Sequence, residues 1–193
     1  MTTMMNGTKV FIGGSRRLSR LNPNVRRRID TIVDKDLTVI VGDANGVDKS
    51  VQKYLSNKHY INVVVYCMQG ICRNNIGEWP TKRIAAVDPC RRDFAYYSTK
   101  DRAMAAEADY GLMLWDGQSR GTLTNIVHLV RMGKPVVVYF APDKSFHTLR
   151  QLNQVVTVLG RLGPETLDRI DRELRAAENG PNTGRKVDTA LLF

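Results

Sequence analysis

Residues 38–55 read TVIVGDANGVDKSVQKYL. The β-branched run Thr38-Val39-Ile40-Val41 has the character of a buried strand, and Gly42-Asp43-Ala44-Asn45-Gly46 is small and turn-prone. Apolar residues then fall at 47, 51, 54 and 55, the spacing of one helix face. The stretch therefore predicts strand, tight glycine turn, helix. Such a turn brings backbone N–H groups close to a ligand and aims a helix N-terminus at it, which suits phosphate or another anion. Taken alone, it is equally an ordinary connection of an α/β domain.

The same arrangement recurs on both sides. Upstream, Lys9-Val10-Phe11-Ile12 predicts a strand that runs into Gly13-Gly14-Ser15-Arg16. Asn22-Pro23 then marks a helix start, with Asn22 as N-cap and proline in the first helical position. Val25, Ile29, Ile32 and Val33 form its apolar face, with the triplet Arg26, Arg27 and Arg28 mostly off it on a solvated surface. Downstream, Ile61–Tyr66 predicts a third strand. The stretch from Cys67 to Cys90 breaks the pattern with Gly70, Gly77, Pro80 and Pro89 and reads as a long loop or lid. Trp79, Tyr96 and Tyr97 flank it, suited either to stack on a base or to pack beneath the loop. Ser98–Glu107 predicts a helix and Asp109–Trp115 a fourth strand. That strand ends in a third glycine turn, Asp116-Gly117-Gln118-Ser119-Arg120-Gly121-Thr122. Leu123, Ile126, Val127 and Val130 face one side of the following helix, with His128 off that face and expected to be exposed. Val136–Phe140 predicts a fifth strand.

Alternating strands and helices predict an α/β fold: a Rossmann-like, doubly wound parallel sheet of about five strands with a C-terminal helical extension. In such a sheet the three turns share the C-terminal edge, where ligands bind at the switch point. The expected organisation is a nucleotide-binding domain over 1–142 carrying a loop or lid insertion at 67–97, helices over 143–179, and a tail over 180–193. One helix is expected through Leu149, Leu152, Val155, Val156 and Leu159, and another after Gly163-Pro164 through Leu167, Ile170 and Leu174.

Composition narrows the partners. The 193 residues carry a formal net charge of +10, which favours an anionic partner, whether nucleotide, polyphosphate or nucleic acid. Basic residues cluster at Arg16, Arg17, Arg20 and Arg26–28, and again at Lys82, Arg83, Arg91, Arg92, Lys100 and Arg102. No apolar run approaches a membrane span. The N-terminal MTTMMNGTKV lacks the pattern of a secretory signal. Cys67, Cys72 and Cys90 fit free thiols in a reduced, cytoplasmic protein better than a disulfide framework. With His59 they have zinc-ligand types but no recognised spacing, so neither a metal nor a cofactor is expected.

The three turns together resemble the SLOG superfamily, which includes the DprA/Smf proteins and the LOG phosphoribohydrolases, and within it the YspA-like branch. Gly13-Gly14-Ser15-Arg16 resembles that branch's first-strand motif, and Gly42-Asp43-Ala44-Asn45-Gly46-Val47-Asp48 its GxAxGxD turn. Trp115-Asp116-Gly117-Gln118-Ser119-Arg120-Gly121-Thr122 resembles its WDGxSxGT turn. The similarity spans Lys9 to Phe140 and implies a Rossmann-like binder of nucleotides or nucleotide-derived ligands, and a homodimer by analogy. The related LOG enzymes carry PGGxGTxxE and nucleoside deoxyribosyltransferases a similar DxGTxxE. Both cleave N-glycosidic bonds with that glutamate in the active site. Here Gly121-Thr122-Leu123-Thr124-Asn125 puts asparagine in its place, and a neutral amide is neither nucleophile nor general base in the same way.

Each candidate residue has a defined expected role. Gly13, Gly14, Gly42, Gly46, Gly117 and Gly121 allow close backbone approach, in the turns that Asp43 and Ala44 share. Ser15, Ser119 and Thr122 are phosphate donors or helix caps, and Arg16 and Arg120 are phosphate partners or solvated cations. Asp48 sits in the first turn of its helix, favourable for the dipole, and is suited to a ribose hydroxyl or an arginine, as is Asp116. Asp101 either pairs locally with Arg102 or faces the site. Three functions follow as expectations: binding of a nucleotide-derived small molecule as sensor or binding module, cleavage or transfer at an N-glycosidic bond by Asp48, Asp101 or Asp116, or nucleic-acid binding through the arginine clusters.

Overall fold

The computed structural model describes residues 7–70, 72–85, 94–165 and 167–168. Seven strands form one sheet in the order β4-β3-β2-β1-β5-β6-β7. The first half is β1 (Lys9–Gly14), α1 (Pro23–Asp34), β2 (Thr38–Gly42), α2 (Val47–Asn57), β3 (Val63–Met68) and β4 (Thr81–Ile84). The second half is α3 (Phe94–Glu107), β5 (Tyr110–Trp115), α4 (Arg120–Arg131), β6 (Val136–Phe140), β7 (Ser145–Leu149) and α5 (Leu152–Leu159). All pairings are parallel except β6 with β7. Strand order runs outward from β1 in one direction, then resumes at β5 on its other side. The crevice between the C-terminal ends of β1 and β5 is thus the topological switch point of a Rossmann-like α/β sheet.

Alternation along the strands builds two cores. Val10, Ile12, Val39, Val41, Leu112 and Leu114 face α1 and α2, where Val25, Ile29, Val51 and Leu55 close the layer. Phe11, Ile40, Met113 and Trp115 face the other way, against Met104 and Ala105 of α3, Leu123 and Ile126 of α4, and Val155 and Val158 of α5. With both faces covered, the inner strands are apolar on both sides, as parallel strands must be. The Asn22 side chain accepts from Val25 N at 2.9 Å, so the proline-led α1 is capped as its sequence predicts. Arg26, Arg27 and Arg28 lie on its exposed surface.

α3 spans the sheet and is clamped at its far end. Glu107 pairs with Lys9 of β1 at 2.7 Å, with Lys82 of β4, and accepts from the Tyr66 hydroxyl of β3. Burial works against that carboxyl's charge, but the bonds from Lys82, Lys9 and Tyr66 prevail and bring its pKa down to about 2. The opposite end of α3 stands at the switch point.

Several expectations need correction. The sheet has seven strands rather than five. β4 lies inside the stretch expected as loop, where Thr81, Lys82 and Arg83 are exposed and carry no apolar alternation. β7 takes the start of the expected helix, with Leu149 pairing opposite Val136 on the antiparallel edge. β3 begins at Val63 because Ile61 points to solvent, 79% exposed. His128 is half-buried rather than exposed; burial and the charges of Arg102 and Arg131 push its pKa down. Cys67 and Cys72 are joined as a disulfide rather than free, because the chain reverses after β3 and brings their Cα atoms to 5.3 Å, within the bonding range. Cys90, Arg91, Arg92, Ile170, Leu174 and the tail over 180–193 lie outside the described residues. Among the described residues, no helix is long and apolar enough to cross a membrane.

β1 and β5 approach so closely at Gly14 that a Cβ there would sit 2.3 Å from the Leu114 carbonyl oxygen and 2.9 Å from Val47 Cγ2. Backbone cannot yield as a side-chain tip does. Gly14→Ala is expected to lower stability by about 1–3 kcal/mol, whereas Gly163→Ala, with open space around it, should stay within about 0.5 kcal/mol. Urea denaturation midpoints at unchanged m-value check both.

Candidate functional site

The three glycine turns meet at the switch point and lock onto one another. Gly46 has φ +80°, and a Cβ there would lie 2.3 Å from the Arg16 carbonyl oxygen, so the second turn packs on the backbone of the first. Ser15 N donates to the Leu114 carbonyl at 2.9 Å. Ser15 Oγ donates to Asp116 Oδ1 at 2.9 Å and lies 3.3 Å from Thr122 Oγ1. Asp116 Oδ1 also accepts from Gln118 N at 2.9 Å and Ser119 N at 2.8 Å, which shapes the third turn. Ser119 caps α4 by accepting from Thr122 N at 3.4 Å. The hydroxyls and Asp116 therefore hold the turns in place.

Between these turns and α3 lies a cavity of about 520 Å³. Gly13, Gly14 and Arg16 line it from the first turn, and Ala44 and Asp48 from the second. Asp116, Ser119, Arg120, Gly121 and Thr122 line it from the third, and Asp101 from α3. Ser15, Gly42, Asp43, Gly46 and Gly117 stand outside its lining. Gly117, with φ +74°, packs against Phe140, Pro142 and Leu162, so it serves the turn.

The floor is an ionic cluster that sequence reading did not find. The Lys100 ammonium is buried, 2% exposed, with Asp101 Oδ1 at 3.4 Å and Asp43 Oδ1 at 3.7 Å. Asp43 also takes a two-pronged contact from Arg73, Nη2 to Oδ1 at 2.7 Å and Nε to Oδ2 at 3.2 Å, and accepts from Arg73 N at 3.1 Å. Gln52 of α2 pins this loop, donating to the Gly42 and Asn74 carbonyls and accepting from Ile76 N. Asp48 Oδ2 accepts from Ala44 N at 3.1 Å. Asn125 of α4 donates from Nδ2 to Asp101 Oδ2 at 3.4 Å.

The aspartates separate electrostatically. Burial resists ionisation of Asp43, but the Arg73 hydrogen bonds and the Lys100 charge outweigh it and hold the carboxyl below its ordinary range. Asp48 goes the other way. Burial raises it, Asp101 and Asp43 add repulsion, and Lys100 and Ala44 N only partly compensate, leaving a pKa of about 6. The floor thus holds one carboxyl able to exchange a proton near neutral pH.

The mouth is cationic and aromatic. Phe94 and Tyr97, one turn apart on α3, line the cavity. The Arg120 guanidinium lies 3.5 Å from the Phe94 ring centre, and those of Arg73 and Arg16 lie 4.8 and 5.5 Å from that of Tyr97. Arg17 reaches Gln118 Oε1 at 2.7 Å. By contrast, Trp79 is buried, donating from Nε1 to the Tyr60 carbonyl at 2.8 Å, so it packs beneath its loop. Among the described residues, no group of three or more His, Cys, Asp or Glu is disposed to hold a metal ion. The site offers guanidiniums and a helix N-terminus to an anion, rings to a planar group, and carboxylates to hydroxyls.

Arg73, Lys100 and Phe94 line this site; Arg73 and Phe94 fall within the expected loop or lid insertion and Lys100 within a basic set, but the sequence singles out none of them for the site. The signal for Phe94 lay in spacing: Phe94, Tyr97, Ser98 and Asp101 fall on one helical face once α3 is started four residues earlier than expected.

No family model and no curated protein sequence matches the chain. Among solved structures, its fold is similar to that of DNA processing protein A from Helicobacter pylori, described for its single-stranded DNA binding mode. The TM-score is 0.55 at 17% identity, over 88% of this chain and 81% of that one. At that identity the likeness is one of fold.

Asp48 binds its proton more tightly folded, at about 6, than at its ordinary 3.8. The folded state therefore holds more protons between these values, and the contribution to stability is full below the lower value and lost as pH rises through the upper. The unfolding free energy of the protein relative to Asp48→Asn should fall by about 2 kcal/mol between pH 4 and pH 7. Paired denaturation curves across that range test it, and a difference that stays flat with pH sinks the assignment.

Proposed function

We propose that this protein binds a nucleotide or nucleotide-derived small molecule in the cavity at the C-terminal edge of its sheet, as a sensor or binding module. The observation that carries this reading is the pairing, in one cavity, of the arginine-lined N-terminus of α4 with the rings of Phe94 and Tyr97 and the carboxylates of Asp48 and Asp101. In this reading a phosphate sits against the Gly13-Gly14 turn and the start of α4, near Arg16 and Arg120. The base lies along Phe94 or Tyr97, and the ribose hydroxyls face Asp48 or Asp101. The resemblance of the three turns to the YspA-like branch of the SLOG superfamily supports the same ligand class and is the ground on which membership of that branch is proposed.

A second reading, cleavage or transfer at an N-glycosidic bond, is favoured by the raised pKa of Asp48. A carboxyl that titrates near 6 is suited to proton transfer at neutral pH. Nucleic-acid binding, the property for which DNA processing protein A is described, is the third.

Isothermal calorimetry with nucleoside monophosphates, the matching nucleosides and single-stranded oligonucleotides, followed by chromatography of the mixtures, separates them. Binding of intact monophosphate, weakened roughly ten- to a hundredfold by Arg120→Ala through loss of a charged contact, while nucleoside binding is spared, supports the proposal. Release of free base, abolished in Asp48→Asn, moves it to the enzyme. Binding of oligonucleotides alone, steeply weakened by salt, overturns the small-molecule reading.

A further inference from the structure

A second cavity of about 390 Å³ adjoins the first, and Arg73 and Tyr97 line both. The wall between them is therefore one layer of side chains, with the Arg73 guanidinium stacked 4.8 Å from the Tyr97 ring centre. Beyond it lie Met68, Gln69, Gly70 and Tyr96. With Asp43, which lines this cavity as well, the lining is an aromatic ring, a thioether, one exposed amide and the carboxylate that orients Arg73, with open space at Gly70, where a Cβ would meet nothing within 4 Å. Its chemistry is that of a slot for a planar, hydrogen-bonding ring.

The shared wall itself carries the cation. Asp43 accepts from Nε and Nη2 of Arg73, and among the described residues no acceptor takes Nη1. Arg73 is thus oriented by a buried carboxylate and retains donors for an anion lying between the two cavities. The segment is held in advance. The Cys67–Cys72 disulfide closes the turn that bears Gln69 and Gly70, and Asn74 Nδ2 donates to the Asp43 carbonyl at 2.8 Å. A preorganised wall lowers the ordering cost of binding.

We infer that the two cavities are paired subsites for two nucleoside units joined through phosphate, one base in each cavity and the linking phosphate over Arg73. This rests on the proposed function of the first cavity and specifies its ligand. The same chemistry is offered by a free dinucleotide and by two adjacent nucleotides of a single strand.

Calorimetry should compare the four ribonucleoside monophosphates, the corresponding 5′-phosphorylated homodinucleotides and homo-octanucleotides, on the unaltered protein and on Gln69→Trp. Gln69 is exposed and engages Ile84 through its backbone N–H, a bond tryptophan keeps, so the variant fills the second cavity without touching the core. The expected result is a dinucleotide bound roughly tenfold or more tighter than its monophosphate. Gln69→Trp should erase that gain together with any second monophosphate equivalent, and leave the first, tighter equivalent unchanged. On the unaltered protein, monophosphate alone should fill a second, weaker equivalent, a readout independent of the variant. Octanucleotides matching the dinucleotide in affinity and in sensitivity to Gln69→Trp assign the ligand to a strand; weaker octanucleotides assign it to a free dinucleotide. A monophosphate that binds once, with a dinucleotide no tighter, overturns the inference while the first cavity keeps its assigned function. Failure of every probe at the first cavity is the separate failure of the proposed function.

Discussion

The structure depends on a buried ammonium. Lys100 lies inside the molecule with Asp101 and Asp43 within 4 Å, and a charge so placed is tolerated only when paired. That pairing constrains every element around it. Gly42 ends β2 without a side chain, because a Cβ there would fall 2.6 Å from Lys100 Nζ and 2.3 Å from Asp48 Oδ2. Asp43 must turn inward, α2 must start where Asp48 reaches Ala44 N, and α3 must lie across the sheet at the height that brings Lys100 over Gly42. The carboxylates outnumber the ammonium, and burial, with repulsion from Asp101 and Asp43, raises the pKa of the member to which no side chain donates a hydrogen bond. Asp43 has Arg73 and Asp101 has Asn125, while Asp48 has a single backbone donor, and Asp48 is the group whose pKa rises to about 6.

α3 turns this local constraint into a site. Its last residue, Glu107, is tied to three strands through Lys9, Tyr66 and Lys82, and its middle is buried through Met104 and Ala105. With the far end fixed, the first turn has little freedom in where it presents Phe94 and Tyr97. The facing wall is equally constrained, since Ser15, Asp116, Ser119 and Thr122 spend their polar atoms on one another. Serines and threonines in a glycine turn read as phosphate donors from sequence. Here their hydrogen bonds to one another and to Asp116 maintain the turns.

The repeated strand, glycine turn and helix was legible because each part has its own local signal: a β-branched run, small residues at a sharp reversal, and apolar spacing of helical period. Those signals give β1, β2, β5, β6 and the helices between them, and the crevice follows from the topology. Edge strands lack such signals. Thr81-Lys82-Arg83-Ile84 pairs with β3 and Ser145–Leu149 with β6, and each turns only one or two apolar residues, Ile84 in β4 and Phe146 and Leu149 in β7, toward a core. Lys100 and Arg73 were illegible for a related reason. A lysine in a charged helix and an arginine in an asparagine-rich loop have the sequence signature of surface residues, and only the three-dimensional meeting with Asp43 buries one and orients the other. The disulfide belongs here too, since the proximity of Cys67 and Cys72 depends on how the chain reverses after β3.

Asn125 shows how an amide fits a floor already crowded with carboxylates. It is buried, and its amide nitrogen donates to Asp101 Oδ2. A glutamate at 125 would bring another carboxylate against Asp101, in a floor where Asp43, Asp48 and Asp101 already share Lys100 and Arg73. Like charges at that separation and burial cannot all ionise, so one would take up a proton or Asp101 would turn from Lys100. The asparagine amide, on a side chain one methylene shorter than glutamate's, supplies a donor where a carboxylate supplies only acceptors. Asn125 and Asp101 therefore function as a pair: the asparagine removes a charge from α4, and the aspartate supplies one from α3. Any carboxylate chemistry in this cavity would accordingly enter from the α3 and α2 side, where Asp101 and Asp48 line it, rather than from the helix that follows the third turn.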